Sequence, residues 1–128
     1  MNAAVVGKKY PEATFTVDPD RVEAFRTVFD AAEGIPPTFV TAAEFEVIPR
    51  IVEDPELDLD FTRVLHGNQE YAYRRPLRPG ETLIVRPRIE SIRELGGNGF
   101  LVIATELVDD AGEVVCTARA TMIERASA

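Results

Sequence analysis

The sequence contains one cysteine, one histidine and no tryptophan. A lone cysteine rules out an intrachain disulfide, and one thiol plus one imidazole is too few for a closed zinc site, although carboxylates could still hold a hard cation. No metal site is expected. Side chains that titrate near neutrality reduce to His66. Positive charge is scarce too: 14 Lys and Arg stand against 22 Asp and Glu, a net charge of −8. That balance argues against nucleic acid as a partner, because general affinity for a phosphate backbone comes from many cationic contacts. No apolar run reaches about 18 residues, so no membrane span is expected. The first nine residues place Lys8 and Lys9 after a short apolar stretch, the reverse of a secretory leader. None of Asn2, Asn68 and Asn98 is followed two positions on by Ser or Thr, so no glycosylation signal argues for export. The expected location is the cytoplasm.

What is present fits one globular domain over residues 1–128, with 45% hydrophobic and 28% charged residues. The charges are uneven. Arg63 to Arg93 carries seven Arg against Glu70, Glu81 and Glu90, a local balance of +4 within an otherwise acidic chain. This basic island is either a strand surface that uses Arg or a landing site for an anionic group.

Glu12 to Val17 alternates apolar and polar residues and reads as a short strand. Asp18-Pro19-Asp20 supplies an N-cap oxygen, a proline at the first helical position and an acid at the positive end of the dipole. The helix it opens sets Val22, Phe25, Val28, Phe29 and Ala32 on one core-facing side and ends at Gly34. Pro36-Pro37 enforces extended backbone, and Thr38 caps a second, broadly apolar and buried helix through Val52, with Pro49 kinking or stopping it. Glu53 to Asp60 holds five acids and reads as a solvated loop. Four strands follow, 69–75, 82–92, 100–108 and 113–125, separated by Pro79-Gly80, by Gly96-Gly97-Asn98-Gly99 and by Asp109-Asp110-Ala111-Gly112.

Consecutive hairpins make an antiparallel meander, and the helix inserted after the first strand must cover one of its faces, an α+β arrangement. In the last strand Val114, Cys116, Ala118, Ala120 and Met122 share the helix-facing side, and the small central members admit a close helix. One helix wrapped by about five antiparallel strands is the hot-dog fold. The outer face, with Val115 and Ile123, is expected to be exposed and to support a dimer.

The segment Leu65-His66-Gly67-Asn68-Gln69-Glu70-Tyr71-Ala72-Tyr73-Arg74-Arg75-Pro76-Leu77-Arg78-Pro79-Gly80-Glu81-Thr82-Leu83 resembles the MaoC-like hydratase/dehydratase family, in its FAS1-like, N-terminal branch. Pro37-Thr38-Phe39 is a second match and Tyr10-Pro11 a weaker third. The resemblance implies reversible hydration of a trans-2-enoyl thioester to an (R)-3-hydroxyacyl thioester, carried on CoA or acyl carrier protein, with no further cofactor. It also implies an acid/base pair, an Asp followed five residues later by a His ahead of the central helix. Here Asp30 is followed at that spacing by Ile35. In double hot-dog members the N-terminal half lacks the pair and accommodates the acyl chain. The chain therefore resembles a non-catalytic dehydratase subunit that pairs with itself or with a catalytic MaoC-like subunit.

By the same resemblance Thr38, Phe39, His66, Gln69, Tyr71, Arg75 and Arg78 are the candidate substrate-binding residues, and His66 is the only candidate catalytic one. His66 also reads as a structural imidazole bonded to backbone, and Tyr71 and Tyr73, which share a strand face with Gln69 and Arg75, as edge packing with a hydrogen-bonded hydroxyl. Arg74, Arg75 and Arg78 could meet carrier phosphates or be solvated. Glu44 and Glu46 read as solvent-side acids of the helix; the rival is the helix carboxylate of hot-dog thioesterases, and a third reading is an interaction module with no acyl pocket. Cys116 reads as an inert buried thiol. The glycines of residues 96–99 join two strands and form no phosphate loop.

Overall fold

The computed structural model describes residues 1–30 and 34–127. Five strands, β1 (Ala13–Thr16), β2 (Val64–Tyr73), β3 (Thr82–Leu95), β4 (Asn98–Val108) and β5 (Val114–Glu124), form one antiparallel sheet in the order β1-β3-β4-β5-β2. Only β3, β4 and β5 make the expected meander. β2 lies on the far edge against β5, so the chain crosses from one edge to the middle of the sheet between Tyr73 and Thr82. A connection this short closes because the sheet curls on itself: the Arg74 N–H reaches the Val115 carbonyl at 2.8 Å, and the Gly80 N–H reaches the Val17 carbonyl beyond β1 at 2.8 Å.

Helix α1 (Pro19–Phe29) starts as its residues dictate, with the Asp18 carboxylate accepting from the Asp20 N–H at 3.0 Å. It stops earlier than expected. Asp30, not Gly34, takes the left-handed cap conformation at φ 48°, which a short polar side chain tolerates. Ala32 lies outside the described residues. The expected core-facing side is only half realised, since Val22 is buried while Val28 and Phe29 are 75% and 65% exposed. Phe25 and Phe15 meet Phe39 at ring-centroid distances of 5.5 and 5.8 Å, and the last turn of α1 lies beyond that contact.

The expected second helix is broken into a 3₁₀ turn (Pro37–Val40), α2 (Thr41–Glu44) and α3 (Ile48–Val52). Pro36 takes the cap position with extended backbone, and Thr38 falls inside the 3₁₀ turn. Pro49 starts α3 instead of ending a longer helix. It has no N–H to give the Phe45 carbonyl and its ring would clash with that group, so the break falls at residues 45–47. Val40, Ala43, Val47 and Ile51 are nonetheless buried, at the spacing of one continuous apolar stripe. Val40, Ala43 and Val47 pack with Leu83, Val85 and Leu107 of the sheet and Ile51 packs with Ile89, Leu101 and Ile103, while Cys116, Ala118 and Ala120 of β5 are also buried.

Two surface expectations change. The acidic loop is pinned: Leu57 is fully buried, and Asp54 accepts from Lys8 Nζ and Tyr10 OH, each at 2.7 Å, which holds its carboxyl down at about 2. Val115 is buried, not exposed, because the β2–β3 connection folds over it and brings Leu77 into the same cluster. The outer sheet face carries ion pairs, Arg86 to Glu12 at 2.9 Å, Arg88 to Glu106 at 3.1 Å and Arg119 to Glu90 at 2.9 Å.

The buried aromatic contact predicts a sharp asymmetry. Phe39→Ala should lose about 3–5 kcal/mol of unfolding free energy by urea titration, whereas Val28→Ala should stay within about 0.5 kcal/mol. Equal effects would show that Phe39 is not a core residue.

Candidate functional site

Successive side chains of a strand alternate faces, so His66, Gln69, Tyr71 and Tyr73 all reach the helix side of β2 once a bulge between His66 and Asn68 resets the register. Gly67 lies at that bulge, where a Cβ would come within 2.6 Å of Ile123 Cδ1, at the end of a side chain that would have to move aside. His66 sits exposed at the bulge, and its Nε2–H donates to the Asn68 carbonyl at 3.0 Å.

The next three residues each tie β2 to the broken helix. Gln69 Nε2 donates to both oxygens of Glu44, at 3.1 and 3.0 Å. The Tyr71 hydroxyl donates to Glu44 Oε1 at 3.1 Å and also bonds to the Thr41 hydroxyl. The Tyr73 hydroxyl donates to the Pro37 carbonyl. Glu44 is 1% exposed, so the reading of it as a solvent-side acid is overturned, whereas Glu46 is exposed as expected. Burial pushes the Glu44 carboxyl above the usual carboxylate range, opposed by its bonds from Gln69 and Tyr71 and by the field of His66. Burial likewise raises Tyr71 to about 12 and Cys116, which pairs with Tyr73 across the strands, to about 11, so that thiol stays protonated.

The spacing of the buried stripe already contained a signal for Glu44. It lies four residues after Val40, three before Val47 and seven before Ile51, which places it on the buried side of a helix. Its type, a carboxylate, outweighed its position when the sequence was read alone.

The remaining candidates divide. Phe39 is 2% exposed and belongs to the core, and Thr38 is exposed on the 3₁₀ turn. Arg75 is committed internally: its guanidinium grips Glu81 at 3.0 and 2.7 Å and reaches Asp109 at 3.5 Å, closing the β2–β3 connection. The same bond holds the Glu81 carboxyl below its ordinary range. Arg74 and Arg78 are exposed on that connection. Beside Arg74 an apolar cavity of about 400 Å³ opens between Ile35, Pro37, Tyr73 and Leu77. A second, of about 430 Å³, lies past the helix break, lined by Phe45, Ile48, Val52, Phe61 and Met122. Among the described residues no group of three or more His, Cys, Asp or Glu side chains is placed to hold a metal, and no helix is long and apolar enough to cross a membrane.

A curled antiparallel sheet around a helical core, with an apolar seam under one edge strand, is the hot-dog fold of the MaoC-like dehydratases. The solved structures agree. A C-terminally truncated 3R-hydroxyacyl-ACP dehydratase complex, HadBC, from Mycobacterium tuberculosis superposes with a TM-score of 0.81 at 21% identity, over 96% of this chain and 99% of the other. A MaoC-like dehydratase gives 0.81 at 20% identity, over 97% of this chain and 43% of that longer one. The R-hydratase PhaJ1 of Pseudomonas aeruginosa gives 0.62 at 18% identity, over 95% of this chain and 83% of the other. The FAS1-like dehydratase domain region matches residues 31–118, and the chain belongs to that family. Its curated relatives include UPF0336 proteins of Streptomyces coelicolor, 35% identical, and Streptomyces avermitilis, 42% identical, each aligned over 99% of this chain and 97% of the relative.

The raised Glu44 carboxyl has a stability consequence. The folded state holds this proton to a higher pH than the unfolded chain does, so the stability linked to it is greatest in acid and falls as pH rises through the folded-state value. Glu44→Gln, which cannot ionise, should unfold at higher urea than the wild type at neutral pH, with the difference shrinking towards acid. A pH-independent difference would mean that Glu44 does not titrate as described.

Proposed function

We propose that this chain is the acyl-accommodating, non-catalytic component of an (R)-3-hydroxyacyl-thioester dehydratase, working beside a MaoC-like subunit that carries the Asp and His pair. The observation that carries this reading is the use of the polar groups on the helix side of β2. Gln69, Tyr71 and Tyr73 bond inward to the helix, and the single imidazole of the chain bonds its own bulge. Hydration of an enoyl thioester needs a positioned base for water and an acid for the α-carbon. Asp30, at the C-cap of α1, has no imidazole near it in sequence, since the only His of the chain is on β2.

The apolar cavities at the two ends of the helical segment suit an acyl chain, and the exposed Arg74 lining the first of them, with Arg78 exposed further along the same connection, suits the phosphates of CoA or the acidic surface of an acyl carrier protein. The carrier is part of the substrate, and the reading requires no resident cofactor or metal. β2 is a ten-residue edge strand with one side unpaired, the kind of edge a protein covers with a partner. Support for such a partner comes from the likeness to a dehydratase described as a complex, and from alignment with less than half of a longer MaoC-like chain. A soluble, cytoplasmic dimer, homomeric or with the catalytic subunit, follows from this reading.

Reconstitution tests it. Alone, the chain should leave the absorbance of trans-2-octenoyl-CoA unchanged; mixed with a MaoC-like subunit bearing the Asp and His pair, it should raise that subunit's hydration rate on this substrate. His66→Ala should leave the rate of the mixture unchanged. A loss of roughly 10²–10⁴-fold, the usual contribution of a general base, would make His66 catalytic and overturn the non-catalytic assignment.

A further inference from the structure

The two apolar cavities both border the helical segment, the first against the end of β2 and the connection after it and the second against Phe61 and against Met122 of β5, and one polar cluster lies between them along that segment. Pro37 and Tyr73 bound the first cavity. Phe45, next to Glu44, and Met122, which pairs with His66, bound the second. Between them on the strand come Tyr71 and Gln69, and between them on the helix come Thr41 and Glu44, all joined by hydrogen bonds. From Tyr73 to His66 the strand runs roughly 23 Å at about 3.3 Å per residue.

We infer that Glu44, Gln69 and Tyr71 form a polar latch that sets acyl-chain length: the chain enters beside Arg74, fills the first cavity and is stopped at the latch. This rests on the acyl-binding reading above and adds to it the residues that decide which chain fits. The physical reason is a difference between stopping and passing. A methylene chain in the first cavity replaces water against apolar walls. To go further it must part Gln69 and Tyr71 from a carboxyl that is 1% exposed, and a hydrocarbon gives back none of those hydrogen bonds. Beyond the latch the surroundings are apolar again, since Ile48, Val52, Phe61 and Met122 line the second cavity. The obstacle is therefore one of polarity held at three side chains, and truncating Glu44 removes it and opens room at the same point. The exposed Phe45 and the helix break at residues 45–47 give the segment behind Glu44 a place to yield without disturbing Val40 and Ala43.

Calorimetry with butyryl, octanoyl, lauroyl and palmitoyl thioesters of CoA tests this on the full chain. In the wild type, affinity should rise with length by about fourfold per buried methylene and then level off. In Glu44→Ala the rise should continue to longer chains, while Glu44→Gln, which still accepts from Gln69 and Tyr71, should keep the wild-type plateau. If Glu44→Ala does not fold by circular dichroism, adding Gln69→Ala and Tyr71→Phe to it removes the donors that it leaves unpaired and should extend the plateau likewise. A plateau at the same length in folded wild type and latch variants overturns the latch and leaves acyl binding standing. Absence of binding at every length in the wild type overturns both.

Discussion

The hydrogen bonds that Gln69 and Tyr71 give to the buried Glu44 carboxyl hold the edge strand β2 to the helical core. A carboxyl taken out of water is costly unless its lone pairs are met, and here both oxygens accept from strand donors. The cost explains the geometry around it. β2 has to present its polar side chains inward at this level, and the strand can do so only because the bulge at Gly67 resets its register after His66.

The same bonds give the nineteen-residue motif a physical meaning. Its Gln and Tyr residues fasten strand to helix, and its second Arg fastens the connection after β2 through Glu81 and Asp109. Those groups build the walls of a site more than its reactive floor. What they leave exposed at the mouth is Arg74, with Arg78 exposed further along the connection, which turns part of the basic island of the sequence into a local feature beside an apolar cavity. The outer face of the sheet uses Arg86, Arg88 and Arg119 differently, pairing them with carboxylates on the same surface.

Much of the fold was legible in the residues. The start of α1 followed from Asp18-Pro19-Asp20, the turns followed from their glycines, and the small residues Cys116, Ala118 and Ala120 marked where the helix comes close. Legibility failed where two local signals competed or where partners were distant in sequence. Asp30 took the cap position before Gly34 was reached. Pro49, read as a kink or a stop, does break the helical segment, but it stands at the start of α3, because what it disrupts lies four residues earlier. The placement of β2 beside β5 depends on pairing across some fifty residues, and no turn residue encodes it.

Local chemistry thus determined by itself the α+β character and the antiparallel strands, while the family was legible through the resemblance of the residue 65–83 motif. Those properties are written in neighbouring residues, in backbone preferences and in which side chains exist at all. Only the tertiary structure decided that Glu44 is buried, that Val115 is covered, that Arg75 is already paired and that apolar cavities lie at the two ends of the helical segment. Each of these depends on what the curling of the sheet brings against a side chain from far along the chain, and burial, which sets both the cost of a charge and its pKa, is a property of that enclosure and not of the residue.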